Sequence, residues 1–179
     1  MAETSATFDQ LIDVWIERPA AEAGYRRISR PTLWVRRLPD GTRTLFQVYR
    51  RAASPLEDEI TFTVEWAAWT PAFARSVSRA KHPRPLTSSA LLAARLPFPL
   101  VPPHDVWWTV RGKRVVEEAI KPRPVTWPPS DDDLLPTTLR KIAIPMLSKI
   151  KDAKTAAAAC TTWRASGVEP SVHHDGLSR

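Results

Sequence analysis

The sequence predicts an α+β fold, a single domain in which an antiparallel sheet of about four strands is packed by an N-terminal helix and two C-terminal helices. The clearest strand is 60–66, where large apolar side chains alternate with polar ones in a period of two. Two further strand-like segments, 32–38 and 42–51, flank a Pro-Asp-Gly turn at 39–41 and predict a hairpin. Apolar residues at helical spacing near both ends of the chain predict the helices that cover this sheet.

The first element is predicted to be an amphipathic helix that begins near Thr7. Thr7 and Gln10 have the spacing of a capping box, and apolar side chains recur at helical intervals as far as Ile16. Pro19 is expected to end or bend this helix, because proline lacks the N–H group that a helix interior requires. Gly24 is expected to close the segment.

The middle of the chain is rich in proline. Residues 71–103 contain seven prolines and are predicted to form a long, partly extended excursion that packs back on the domain. Within this excursion, 87–95 is expected to form a short helix. A fourth strand is predicted at 106–111, where Trp107 and Trp108 point to opposite faces of the sheet, so that one of them belongs to the core.

Two C-terminal helices complete the predicted domain. The acidic run 131–133 favours a helix N-terminus. An apolar stripe with spacings of three and four follows it, formed by Leu135, Leu139, Ile142, Met146 and Ile150. Pro145 must bend or divide this helix, and Asp152 is expected to cap the final one. We therefore expect one domain over 7–167 and a flexible tail over 168–179.

The composition argues against several classes of protein. No run of eighteen apolar residues and no secretory signal is found, so we expect a cytoplasmic protein that binds no membrane. The glycines are isolated, no histidine lies near a serine or cysteine in a known catalytic pattern, and Cys160 is the single cysteine. We therefore predict no catalytic residue, no cofactor and no metal site. An enzyme whose residues come from separate strands stays open as an alternative.

The formal net charge of +7 is distributed in blocks along the chain. Residues 24–51 and 74–114 each carry a net charge of +7, mostly from arginine. Acidic blocks alternate with them, with net charges of −4 over 1–23, −4 over 52–73 and −3 over 115–135. One contiguous basic groove in space would favour nucleic acid, whereas alternation with the acidic blocks would favour a protein partner or simple solvation.

The basic and aromatic residues of the predicted hairpin are the candidate partner-binding residues. They are Trp34, Arg36, Arg37, Arg50 and Arg51. On paired strands, such a set can stack bases and bind phosphates or carboxylates. The alternative is ordinary packing, in which Trp34 lies beneath a helix and arginine stems cover its edge.

The order of these elements resembles an uncharacterised family of bacterial domains of unknown function. The similar motifs are Gly-Tyr-Arg-Arg at 24–27, Leu-Trp-Val-Arg at 33–36, Phe-Gln-Val-Tyr-Arg at 46–50, Phe-Thr-Val at 62–64 and Trp-Trp at 107–108. Paired C-terminal helices with a proline near the middle follow these motifs. The resemblance spans about residues 7–165. The resemblance implies a fold and names no reaction.

We therefore expect a non-catalytic interaction module that binds an acidic protein partner through an arginine-rich surface. The alternative is a nucleic-acid-associated protein that uses phosphate contacts. The motivation for both is concentrated arginine in a chain without a recognisable catalytic constellation.

Overall fold

The computed structural model describes residues 2–28, 32–51, 58–78, 89–95, 106–118 and 121–165. These residues form an α+β structure with an antiparallel sheet, as the sequence predicts. The predicted tail over 168–179 lies outside the described residues.

Within the described residues, eight strands form one sheet, so the prediction of about four strands is wrong in number. The strands are β1 (Arg26–Ile28), β2 (Leu33–Arg37), β3 (Arg43–Arg50), β4 (Ile60–Trp69), β5 (Leu92–Arg95), β6 (Trp107–Arg111), β7 (Arg114–Glu118) and β8 (Arg123–Val125). Their order in space is β1-β2-β3-β4-β6-β7-β8, and β5 pairs with β4. The four unpredicted strands, β1, β5, β7 and β8, have three to five residues, and their sequences do not alternate between large apolar and polar side chains.

The long strand β4 organises the sheet. β3 pairs with it along its length, while the opposite edge is shared between β6, which pairs with 60–62, and β5, which pairs with 65–68. The helix predicted over 87–95 is therefore wrong, because its second half is strand β5. The open edge of β4 and the ion pair between Glu65 and Arg95, at 3.1 Å, outweigh the helical preference of this segment.

The helical part of the chain contains six α-helices and two π-helical segments among the described residues. They are α1 (Ala2–Ile12), the first π segment (Asp13–Glu17), α2 (Arg18–Glu22), α3 (Pro71–Val77), α4 (Leu134–Thr138), the second π segment (Leu139–Ala143), α5 (Ile144–Ser148) and α6 (Ala153–Ala165). Among these residues, no helix has the length and apolar character required to cross a bilayer. The start predicted at Thr7 is wrong, because Thr7 is a buried residue inside α1.

The predicted proline-rich excursion has regular structure where it is described. Thr70 caps α3 by accepting a hydrogen bond from the Phe73 N–H, and Pro71 occupies the first helical position, where its missing N–H has no cost. Residues 92–95 form β5. The intervening residues 79–88 lie outside the described part of the chain.

Pro19 and Pro145 lie inside the helical parts of the chain, and each lies two residues after the end of a π segment. The Arg18 N–H donates to the Asp13 carbonyl and the Ile144 N–H to the Leu139 carbonyl, both across five residues. The wider turn removes the clash between a proline ring and the carbonyl four residues before it, so the helical course continues through Pro19. That course ends by Gly24, as predicted, and Gly24 has a positive φ of 80°.

The second π segment also explains an error in the predicted apolar stripe. Its extra residue rotates the following helix, so the buried positions are Ala143 and Leu147. The predicted positions, Ile142 and Met146, are only partly buried.

The main core lies between the N- and C-terminal helices and one face of the sheet, which we call the covered face. Its largest fully buried side chains are Trp15, Trp34, Trp66, Trp108, Phe8, Phe46 and Phe62. The ring of Phe62 lies 5.1 Å from that of Phe8 and 5.8 Å from that of Trp108. As predicted, Trp107 points to the other face, so one tryptophan of the pair belongs to the core.

The opposite face of the sheet, which we call the second face, carries a smaller apolar cluster. It consists of Leu33, Val35, Leu45, Ala67, Trp69, Ala93 and Ala74. Ala74 belongs to α3, so this short helix covers part of the second face.

Replacing Phe62 with alanine should lower the free energy of unfolding by about 3–5 kcal/mol, because the fully buried Phe62 ring packs against Phe8 of α1 and against Trp108 of β6. Urea denaturation measures the change. Val77→Ala is the control, since Val77 is 54% exposed and should change stability by less than about 0.5 kcal/mol. A loss for Phe62→Ala as small as that of the control would contradict the packing of α1 on the covered face.

Candidate functional site

The sheet separates the hairpin arginines by the face to which they point. Side chains alternate along β2 and β3, and cross-strand partners share a face. Arg36 and Arg50 therefore lie on the covered face, with the helices. Arg37 is directly opposite Arg43, and both lie on the second face.

Trp34 is packed beneath the N-terminal helix. Its ring has no exposed surface, and its Nε1–H donates to the Glu17 carboxylate at 2.6 Å. The Arg27 guanidinium lies 5.4 Å from the centroid of the ring and 3.9 Å from the same carboxylate. Trp34 is therefore packed within the fold, the second of the two predicted alternatives, and a ring without exposed surface cannot stack on a partner.

Arg36 ties β2 to the C-terminal helices. Its Nη2 donates to the Leu147 carbonyl at 2.8 Å, near the end of α5, and its guanidinium lies 5.5 Å from the centroid of the Tyr25 ring. The Tyr25 hydroxyl in turn donates to Thr44 Oγ1 at 2.9 Å. Burial raises the pKa of Tyr25 to about 12, although the Thr44 hydrogen bond and the charge of Arg36 oppose this effect. Arg36 is therefore committed to contacts within the fold.

Arg50 lies at the far end of β3 among the acidic residues of the N-terminal helix. Its guanidinium is 4.0 Å from the centroid of the Phe8 ring. Desolvation lowers the pKa of Arg50, while the nearby charge of Asp9 raises it. Asp9, Asp13 and Glu17 are spaced by four residues, and the last two lie within 4.0 Å of Arg27. The acidic block at the start of the chain thus faces part of the first basic block.

Arg37, Arg43 and Trp69 form a cluster on the second face, which we call the arginine pair site. The three residues lie side by side on β2, β3 and β4, on the second face. Arg37 is exposed, Arg43 is half-buried, and the Arg43 guanidinium lies 4.8 Å from the centroid of the Trp69 ring. Desolvation, and then the positive charge of Arg37, lower the pKa of Arg43. Within the described part of the chain, no carboxylate forms an ion pair with either arginine.

Asp40, the acidic residue of the connecting turn, is already engaged. Desolvation raises the pKa of Asp40, but hydrogen bonds from the N–H groups of Thr42 and Ala153 and from the Thr42 hydroxyl together bring it below the ordinary value. Since Ala153 is the first residue of α6, the turn is fixed to that helix. The Asp40 carboxylate is therefore hydrogen-bonded within the fold.

The second basic block is also interleaved with acidic residues. Arg111 lies 3.0 Å from Glu59, and Lys113 lies 4.0 Å from Glu3. Further along, Arg123 donates to both oxygens of the buried Glu117. Arg111, Lys113 and Arg123 are thus each paired with a carboxylate.

The predicted partner-binding residues therefore do not come together. Arg37 belongs to the arginine pair site, whereas Arg50 and the exposed Arg51 lie at the opposite end of β3, about 24 Å from Arg43 at the usual rise of a strand. Sequence reasoning missed Arg43 and Trp69. The predicted hairpin is centred on Asp40, so Arg37 and Arg43, three residues before and after it, could have been predicted to be cross-strand partners.

The described residues show no cluster of three or more histidine, cysteine, aspartate or glutamate side chains that could hold a metal ion. The four histidines at 82, 104, 173 and 174 lie outside the described part of the chain. Cys160 is buried, and its Sγ lies 3.5 Å from the Leu91 carbonyl oxygen.

The raised pKa of Tyr25 predicts that the protein loses stability at alkaline pH. Because the pKa of Tyr25 is raised from 10.0 to about 12 in the folded state, the stability it contributes is complete below pH 10 and is lost as the pH rises through 12. Urea denaturation between pH 8 and pH 11.5 should show the wild-type protein losing stability above pH 10 relative to Tyr25→Phe. A constant difference between the two proteins across this range would contradict the buried hydrogen-bonded position of Tyr25.

Comparisons of the chain with protein-family models, with curated proteins and with solved structures found no match. The resemblance to an uncharacterised bacterial family therefore stays an expectation. The interpretation of the arginine pair site depends on its own geometry.

Proposed function

We propose that this protein is an interaction module whose arginine pair site binds an acidic segment of a protein partner. The observation that carries the proposal is the direct opposition of Arg37 and Arg43, without an ion-paired carboxylate among the described residues. Neighbouring arginines on the covered face are each engaged by a helix.

The direct opposition of Arg37 and Arg43 has an energetic cost. Like charges at directly opposed positions of two strands destabilise the pair, and an anion between them removes that cost. Arginine offers two parallel N–H donors that match the two oxygens of a carboxylate. The contact with Trp69 restricts the Arg43 side chain, so less conformational entropy is lost when a ligand binds.

The alternation of charge supports a protein partner over nucleic acid. Binding along a phosphate backbone requires cations at regular intervals over a continuous track. Here Asp13 and Glu17 of the N-terminal helix, together with Glu59, Glu65 and Glu117, each pair with a described cation. A short acidic segment needs only a local cluster such as Arg37 and Arg43.

The proposal predicts that Arg37→Glu/Arg43→Glu weakens binding of an acidic polypeptide by tenfold or more. A fluorescently labelled poly-glutamate of about twenty residues is the probe, and anisotropy in 50 mM salt is the measurement. Arg18→Glu/Arg114→Glu is the matched control, because both residues are exposed and the change in net charge is identical. The control should weaken binding by less than about threefold, the effect of general charge alone.

Single- and double-stranded DNA of similar length are measured in parallel. Equal losses in the two double variants would overturn the assignment of the site, because only net charge would then matter. DNA that binds more tightly than poly-glutamate and depends on Arg37 and Arg43 would replace this proposal with the nucleic-acid alternative.

A further inference from the structure

Two pairs of arginines are directly opposed on neighbouring strands in the described part of the chain. Arg111 on β6 is opposite Arg114 on β7, and the Glu59 carboxylate lies 3.0 Å from Arg111. The fold therefore supplies the first pair with an anion. Arg37 on β2 is opposite Arg43 on β3. Among the described residues, this second pair has no ion-paired carboxylate, so its anion must come from a partner.

The two charges of the arginine pair site lie close together. The Leu38 N–H donates to the Thr42 carbonyl at 2.9 Å, and hydrogen-bonded pairs alternate with non-hydrogen-bonded pairs along an antiparallel ladder. Arg37 and Arg43 are therefore a non-hydrogen-bonded pair, the type whose side chains are closest, with Cβ atoms about 5 Å apart. After desolvation, the charge of Arg37 is the second cause that lowers the pKa of Arg43.

Trp69 holds one of the two guanidinium groups in position. The Arg43 guanidinium lies 4.8 Å from the centroid of the Trp69 ring, and the ring is fixed by its Nε1–H, which donates to Ser89 Oγ at 3.2 Å. Arg37 is exposed, so its donors are accessible from solvent on the same face. One anion can therefore contact a guanidinium that is held by the fold and a second one beside it.

Two adjacent arginines match a phosphate group better than a carboxylate group. A glutamate side chain brings one negative charge and two oxygens, so one of the two positive charges would stay unbalanced. A phosphorylated side chain brings a charge of about −1.5 to −2 and three acceptor oxygens. Each arginine can bind such oxygens through two parallel N–H donors. A phosphodiester of nucleic acid brings a single charge.

We propose that the arginine pair site binds a phosphorylated side chain within the acidic segment of the partner, so that phosphorylation of the partner controls the interaction. This inference rests on the proposed function of the same site. Arg26 on β1 extends the site, because it is opposite Val35 and is thus a diagonal neighbour of Arg37 on the second face. Arg26 is exposed, and it can contact an acidic residue that flanks the phosphate.

The test is fluorescence anisotropy with labelled peptides of about ten residues in 50 mM salt. Glycine and glutamate flank a central phosphoserine, glutamate or serine. The phosphoserine peptide should bind about tenfold or more tightly than the glutamate peptide, and the serine peptide should bind most weakly. Equal binding of the phosphoserine and glutamate peptides, with both dependent on Arg37 and Arg43, would overturn this inference and leave the proposed function standing. Binding of every peptide that is independent of both arginines would overturn the two proposals together.

Single variants show whether both arginines contact the same phosphate group. Arg37→Gln and Arg43→Gln should each reduce the preference for phosphoserine over glutamate to less than about threefold, and the double variant should reduce it little further. Arg114→Gln is the matched control, because Arg114 is exposed and belongs to the other opposed pair. It should keep the full preference. An equal loss of preference in Arg114→Gln, or a full preference in Arg37→Gln, would contradict the assignment.

Inorganic phosphate distinguishes a phosphorylated partner from a free phosphate ion. Because the flanking acidic residues add contacts with Arg26, inorganic phosphate should displace the phosphoserine peptide only at concentrations about tenfold or more above the Kd of the peptide. Arg26→Gln should weaken the phosphoserine and glutamate peptides alike, by about threefold, the size of an exposed ion pair. Displacement by inorganic phosphate at a concentration equal to the Kd of the peptide would indicate a site for the free ion and overturn the proposal.

Discussion

Burial of an aromatic layer between the helices and one face of the sheet is the constraint on which the rest of this structure depends. Its largest members, Trp15, Trp34, Trp66 and Trp108, are at most 1% exposed. Helical segments from both ends of the chain are needed to cover them, and each contains an interior proline. A π turn before Pro19 and before Pro145 lets the helical course continue over the sheet, so the apolar layer stays covered.

The same constraint divides the arginines into two groups. Of those that point toward the helices, the partly buried Arg36 donates to the Leu147 carbonyl, and Arg27, which is exposed, lies beside the Asp13 and Glu17 carboxylates. Arg37 and Arg43 lie at strand positions that point to the second face. Neither forms an ion pair with a carboxylate among the described residues. The proposed binding surface is thus a consequence of strand alternation, and it could not be located from the density of arginine along the chain.

Features set by local sequence could be predicted, and features set by distant neighbours could not. The hairpin and the start of β4 were predicted, because their alternation and turn residues are local signals. Strand β5 was missed because Leu92–Arg95 becomes a strand only beside the open edge of β4. At the site, Arg37 was predicted, but its partner Arg43 required the hairpin register. Trp69 was missed because the strand was predicted from alternating large apolar and polar side chains. Ala67 and Ala68 end that alternation, although the strand continues to Trp69.

The most direct test of this account is hydrogen exchange of the tryptophan indole N–H groups, followed by NMR at increasing urea concentrations. If helices from both ends cover the sheet, the indoles of Trp15, Trp34, Trp66 and Trp108 exchange only when the whole protein unfolds, with the free energy found by urea denaturation. Exchange of the Trp15 and Trp34 indoles at the rate of an unfolded peptide, while the sheet amides stay protected, would contradict it.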